Sequence, residues 1–531
     1  MNRYGENTQP QAAASWQLAR LSSPSALFGA NGMRMGSDGK LYVVQAFGSQ
    51  VSAVDTGSGA CETISPVGGP IVAPDDIAFD SRDIMYVTEV MNDRVSARTP
   101  SGEVRVIADN VPAANGITAH QDRLFMDECR PGGRLFELYP DGREPRVIAD
   151  NLALPNALSV GPDGKLYFPQ VLAGEIWRCP IEGGAPERFM DGLAAPIAVK
   201  FDQNGLLTIA QAASGEITKI DIQSGEKTTV ANVRPGIDNL AIADDNRLFI
   251  SHFVDGGVAE IQADGTERML VPAGLLGPFG ITVTSDGIVY AADGMSMISV
   301  SQDGQVSRPT IFIQDGYPGF IRGIAAGPAG SVYVTTSAGE VVLYNFKTRE
   351  PRTLVNELNE LYSLAPTQDG AVVVAEGGEG RLLKVTSDGN VTVMARDLGR
   401  PNGVAVADDG SCYVSEPDKG QVSHVNGGTS TLVEGLSCPQ GLGLLGDQLL
   451  VVDSGSKELI AVSLGTKQQQ TIASGLPVGA QTGVTPQLLM GIAGGVIPGP
   501  LTPFSGLAVG GDGSVYIAAD GEGSVLILKR A

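Results

Sequence analysis

Histidine, tryptophan and cysteine are scarce: the 531 residues include 3 His, 2 Trp and 5 Cys, and aromatic residues make up 5%. The cysteines (Cys61, Cys129, Cys179, Cys412, Cys438) are odd in number and lack metal-ligand spacing, so neither a disulfide framework nor a cysteine-ligated metal is expected. Ordinary core thiols in a reducing compartment are the default. Positive charge is also short: 36 Lys and Arg against 59 Asp and Glu give a net charge of −23 and a pI near 4.5. Such a surface repels nucleic acid and anionic lipid and tolerates cations, so neither a nucleic acid nor a membrane is an expected partner. No run reaches the roughly 18 to 20 apolar residues of a membrane helix. The opening MNRYGENTQPQAAASW lacks the apolar core of a secretory signal, and a cytoplasmic location is the expectation. No G-x-S-x-G elbow, zincin helix motif or G-x-x-x-x-G-K-[ST] loop occurs, which disfavours serine-hydrolase and nucleotide chemistry.

What the chain does have is 70 glycines, 32 prolines and 42% hydrophobic residues, with a mean hydropathy of +0.06. That combination fits dense turns between short strands rather than helical bundles. One pattern recurs: a polar residue, alternating apolar residues, an Asp-Gly type turn, an LYV-like strand, then two more strands. NGMRMGSDGKLYVVQ from Asn31, NALSVGPDGKLYFPQ from Asn156 and NGVAVADDGSCYVSE from Asn402 are examples. Further copies begin at Asp75, Asn115, Ile197, Asp238, Phe279, Arg322, Tyr362, Gln440 and Ser505, making twelve. Their spacing of about 40 residues is that of four-stranded propeller blades. The expected fold is all-β, two consecutive six-bladed β-propellers: a disordered tail at 1–14, one propeller at 15–263 and a second at 264–531. The last copy stops after its third strand. SWQLARL (15–21) is expected to complete the sixth blade of the first propeller, and ERMLVP (267–272) the last blade of the second. An apolar, Gly/Pro-rich insertion at about 475–503 reads as filler between blades, a lid over a channel mouth, or an oligomer contact.

In each blade, the residue that begins strand one and the residue that ends strand two should meet at one channel mouth. The first propeller's starting ring reads Asn31, Asp75, Asn115, Asn156, Ile197, Asp238; its return ring reads Gln45, Glu89, Glu128, Gln170, Gln211, His252. Carboxylates and amides in this mixture suit Ca²⁺ or another divalent cation such as Mg²⁺, Mn²⁺ or Zn²⁺. Polar blade starts also cap turns and hold channel water. The second starting ring (Phe279, Arg322, Tyr362, Asn402, Gln440, Ser505) has no carboxylate, so a metal is not expected there. Arg322 either pairs with a return-ring acid (Asp293, Glu376, Glu416, Asp453), the favoured reading, or fixes an anionic group.

The repeat, with LPNALSVGPDGKLYF and IDNLAIADDNRLFISH, resembles the superfamily of gluconolactonases (senescence marker proteins), paraoxonases and strictosidine synthases, whose NHL-like repeats are similar. That resemblance implies a six-bladed propeller with one catalytic Ca²⁺ and hydrolysis of a lactone or ester. It implies as metal ligands Asn115 in ANGI, Asn156 in PNAL, and Asp238 with Asn239 in IDNL. The family's first-blade Glu is replaced by Asn31, leaving Asp75 to supply the missing charge. His252 carries over as the candidate base, with Glu89 or Glu128 as substitutes. The functional expectation is a metal-dependent hydrolase of a small carbonyl substrate, in which the cation polarises the carbonyl and a base assists attack by water. A lyase or isomerase at the same metal, and a non-catalytic scaffold for a protein or glycan, are the rivals. Oligomeric state is left open.

Overall fold

The repeat folds through its turn. In the first copy Gly39 takes φ = 76°, where a side chain would be strained, and Asp38 Oδ1 accepts the Lys40 N–H at 3.1 Å. The tyrosine of the following strand returns to the same carboxylate, Tyr42 Oη to Asp38 Oδ2 at 3.3 Å. The turn from Asp163 repeats both bonds, with Lys165 N at 3.2 Å and Tyr167 Oη at 3.0 Å. Asp-Gly-x-Leu-Tyr is therefore a hairpin lock as well as a strand signal.

The computed structural model describes residues 3, 9–311, 319–328, 330–495 and 497–531. It is an all-β propeller chain of antiparallel four-stranded sheets, one of them extended by an added fifth strand. The helical elements among the described residues are two short 3-10 turns, Val171–Ala173 and Pro417–Lys419. No helix among those residues is long and apolar enough to cross a membrane. The chain divides into two compact units. Residues Ala26–Gly274 with 489–495 form the first; residues up to Ser25, Leu275–Leu488 and 497–531 form the second.

In the first unit the innermost strands are Met33–Met35, Pro74–Phe79, Ala114–His120, Ser159–Val160, Pro196–Phe201 and Ile237–Ile242. Each neighbours the next, and the last neighbours the first. Apolar packing closes the same circuit, since Met33, Leu41 and Val43 share a core with Ala241 and Phe249. The second unit does likewise from Ile281–Val283 round to Leu507–Val509, with Ile281 and Val289 packed against Tyr516 and Ala518. Hydroxyls stitch successive sheets: Thr88 donates to the Asn115 carbonyl, Thr335 to Tyr362, Ser415 to Gln440 and Ser251 to Asn31. Where the backbones come closest only glycine fits. A Cβ on Gly403 would overlap the Gln440 carbonyl oxygen. Gly403→Ala is expected to cost about 1–3 kcal/mol, measured as a fall in the urea midpoint at constant m-value.

Closure differs from the sequence expectation. Trp16–Arg20 pairs antiparallel with Ser524–Arg530, Trp16 opposite Arg530, and so completes the last sheet of the chain. Glu267–Val271 pairs with Val258–Ile261 and completes the sheet begun by Ile237–Ile242. The two outer strands are exchanged relative to expectation. Local hairpin closure through the 262–266 turn sacrifices far less chain entropy than bringing a distant segment to that edge. The division accordingly falls after Gly274 rather than at 263/264, and 15–25 belong with the second unit. Nor is 1–14 wholly a loose tail. Gln11–Ala12 pairs with Gln469–Ser474, and Arg3 is buried, donating to the Leu275 and Leu276 carbonyls at 3.1 and 2.6 Å. Residues 1, 2 and 4–8 of that expected tail lie outside the described residues. Among the cysteines Cys61 is exposed rather than in a core.

Candidate functional site

Register brings the two expected rings to one end. Pro74 lies opposite Glu89, Ala114 opposite Glu128 and Ile237 opposite His252. The return-ring side chains, however, turn into the sheets. Glu89 Oε2 accepts the Val72 N–H at 2.9 Å and bonds Asn92 and Arg94, while Oε1 takes the Ser96 hydroxyl. The backbone N–H it caps lies 17 residues earlier, and the same spacing recurs for Gln45 with Phe28, Gln170 with Ala153, Gln211 with Ala194 and Glu376 with Asn359. Glu128 is held by Arg130 at 3.0 Å and Arg134 at 2.9 Å. Both acids are thus taken by structural bonds, and neither is aimed at the starting ring.

His252 departs from this scheme for a covalent reason. The residue 17 positions earlier is Pro235, which has no N–H to cap. The imidazole is fully buried and neither nitrogen meets hydrogen-bond geometry with a partner, the Gly236 backbone acting on it only as the smallest influence. Burial, then the Arg234 cation, lowers its pKa to about 4, against a smaller opposing pull from Asp255. It is a neutral imidazole in the wall.

Part of the starting ring comes together: the Asp75 charge acts on Asp238, and Asn31 reaches it. Asp75 is buried, and burial followed by the neighbouring Asp76 charge raises its carboxyl pKa to about 8. Asp238 keeps part of its surface open, yet its carboxyl is enclosed by protein; burial, then Asp75 and Asp76, hold its pKa well above the carboxylate range. Asn31 Nδ2 reaches Asp238 Oδ1 at 3.5 Å, while its Oδ1 accepts the Ala46 N–H at 3.0 Å. Asn239 Nδ2 donates to Asp76 Oδ1 at 3.2 Å. Asn156 Oδ1 accepts the Ala157 N–H at 2.7 Å and its Nδ2 faces Cys129 Sγ at 3.4 Å. Asn115 is different: its Oδ1 is buried without a partner. Two buried carboxyls that hold their protons, and at the blade start after Asp75 an amide oxygen with no donor, are groups of the kind a hard divalent cation binds. Among the described residues no group of three or more His, Cys, Asp or Glu has metal-holding geometry, so amide oxygens must complete any such set.

Four charged residues at this centre escaped the sequence reading. Asp127 occupies the place where Thr88 and Ser251 carry hydroxyls. It accepts the Gly116 N–H at 3.2 Å through Oδ1, leaves Oδ2 buried without a partner, and has its pKa raised well above the usual range, chiefly by burial. Asp76 Oδ2 accepts the Ile117 N–H at 3.0 Å. Arg34 spans to the Ile77 and Ile117 carbonyls at 3.2 and 3.0 Å. Lys200 is buried with its Nζ unpartnered; burial, then Arg34, lowers its pKa to about 7 against Asp76 and Asp127. The signal was available: Arg34 and Lys200 stand three residues after their blade starts, where Ala78 and Ala241 stand in other copies.

No family model and no curated protein matches the chain. Solved structures do align. A streptogramin B lyase is 19% identical over 53% of this chain and 96% of its own, TM-score 0.40. A gluconolactonase from Xanthomonas campestris is 16% identical over 47% and 93%, TM-score 0.38. The extracellular domain of a putative one-component system from B. thetaiotaomicron is 10% identical over 97% and 83%, TM-score 0.32.

Proposed function

We propose that each unit is one six-bladed propeller and that the first is a divalent-cation-dependent hydrolase of a lactone, ester or related small carbonyl compound. The observation that carries this reading is the burial of Asp75 and Asp238, from different sheets, with the Asp75 charge acting on Asp238; the donorless oxygen of Asn115, the blade start after Asp75, is the third candidate ligand. Those three would hold the cation, most naturally Ca²⁺, with Asn156 as a further candidate ligand once its oxygen is shared with the Ala157 N–H. Asn31 orients Asp238, and Asn239 orients Asp76. The chemistry a bound divalent ion supplies is polarisation of a carbonyl and stabilisation of an oxyanion. Two nitrogens are candidates for the base, Lys200 and His252. Lys200, with its pKa near 7, is better matched to neutral pH than His252 at about 4, and Asp76 and Asp127 stabilise its protonated form.

One observation favours the rival reading of a binding scaffold without catalysis, namely the lack of a three-acid cluster among the described residues. Calorimetric titration of chelator-stripped protein with Ca²⁺, Mg²⁺, Mn²⁺ and Zn²⁺ separates the two. Saturable heat with Ca²⁺ is expected, and Asp238→Asn should weaken it at least about tenfold. Silence with all four metals would favour the scaffold.

A further inference from the structure

The insertion expected at about 475–503 does more than fill space between sheets. Its first residues are core: Leu476 and Val478 pack with Leu459, Leu507 and Leu526 of the second unit. Residues 489–495, by contrast, belong to the first unit. Leu489 is buried, whereas Leu488 before it is 43% exposed and Met490 after it 61%. One buried side chain between two exposed apolar ones is an anchor rather than a core.

Gly494 shows where the segment lands. A Cβ on Gly494 would come 3.1 Å from Arg130 Cβ and 3.7 Å from Pro131 Cδ, so its backbone lies directly on that turn. Arg130 Nε is buried and meets no acceptor. The turn follows Glu128, the return-ring residue opposite Ala114, and so stands at the starting-ring end of the third sheet. Between them Cys129 joins the turn to the ring. Its N–H donates to the Ala113 carbonyl at 2.9 Å, and its Sγ lies 3.4 Å from Asn156 Nδ2. Burial, then the charges of Asp127, Asp75 and Asp238, push its thiol pKa up, which puts the same thiol among the acids of the candidate site.

The segment is built to move at its far end. Gly494 and Gly495 both take left-handed conformations, with φ of 82° and 76°, and both are exposed. Successive glycines can change path there without a side-chain penalty.

We propose that residues 489–495 form a lid on the starting-ring end of the first unit, anchored by Leu489 and seated on Arg130 and Pro131, which opens to admit a small ligand to the ring. Long insertions in compact domains commonly serve as such lids. The inference requires neither a bound cation nor catalysis. Cys129 is the natural reporter, and the test is thiol labelling of the native full chain with methyl methanethiosulfonate, read site by site by peptide mass spectrometry. Exposed Cys61 gives the unhindered rate, and fully buried Cys179, in the same unit, reports any general loosening of the sheets. Leu489→Ser removes the anchor, and Gly494→Val forces the segment off Arg130. Each should raise the Cys129 rate at least about tenfold over the unaltered protein and leave Cys179 unchanged. A Cys129 rate unmoved in both variants, or a parallel rise at Cys179, would overturn the proposal. So would Cys129 labelling as fast as Cys61 in the unaltered protein.

Discussion

Chelator-treated protein is expected to lose stability as the pH rises from about 4 towards 8, and to regain it on addition of Ca²⁺. In the folded state Asp75 keeps its proton up to about pH 8, whereas an unfolded Asp releases it near 3.8. Between those values the native state binds more protons than the unfolded one, so raising the pH favours unfolding. Asp238 and Asp127 are displaced in the same direction and add to the slope. Lys200 acts oppositely at the upper end. Its folded pKa of about 7 lies below the ordinary 10.5, so deprotonation above pH 7 relieves a cost and should flatten the decline. For a unit of this size each kcal/mol moves Tm by about 2–4 °C, and a fall of roughly 5–10 °C between pH 5 and 8 is expected. A cation that replaces the protons should stabilise more at pH 8 than at pH 5. Scanning calorimetry in EDTA and in Ca²⁺ at both pH values checks this, with Asp75→Asn as the variant that removes much of the slope. A Tm flat in pH, or an equal Ca²⁺ increment at both, would sink the crowded-carboxylate account.

The second large effect is structural. Glu89→Ala is expected to cost about 3–5 kcal/mol, because it strips a buried acceptor from the Val72 N–H, Asn92, Arg94 and Ser96 at once. Glu89→Gln should cost less, since Gln45, Gln170 and Gln211 perform the same backbone cap in their own sheets. Urea denaturation gives the stabilities. The contrast with a catalytic role is sharp: a general base replaced by Gln would lose turnover while its fold stayed as stable as before. Unchanged stability in Glu89→Ala would return Glu89 to the list of candidate bases.

Much of the candidate site was legible. Asn31, Asp75, Asn115 and Asp238 were found because a repeat places equivalent positions at equivalent points round an axis. The residues that were missed share one physical feature. Asp76, Asp127, Arg34 and Lys200 lie inside strands that otherwise read as apolar, and their charge is tolerated only because strands distant in sequence bring them together. Glu89, Glu128 and His252 were read for their end of the channel, and the register sets them opposite Pro74, Ala114 and Ile237. The direction of the Glu89 side chain is set by a backbone N–H 17 residues back, that of Glu128 by Arg130 and Arg134, and His252 has no such N–H to cap because Pro235 stands there; the hairpin pattern carries no trace of these partners.

By itself the sequence determined the local structure: the all-β class, the turns, the strand order within each copy and the twelve starting positions. These follow from alternation and from Asp-Gly chemistry acting over a few residues. Only the tertiary structure decided which outer strand closes which sheet, and which buried charges find partners. Trp16–Arg20 and Glu267–Val271 suit either edge by composition, and chain-closure entropy separates them. Asp293 is fully engaged, while Arg322 bonds the Leu361 carbonyl through Nη1 and leaves Nη2 without an acceptor among the described residues, an outcome fixed by the groups that folding delivers to each.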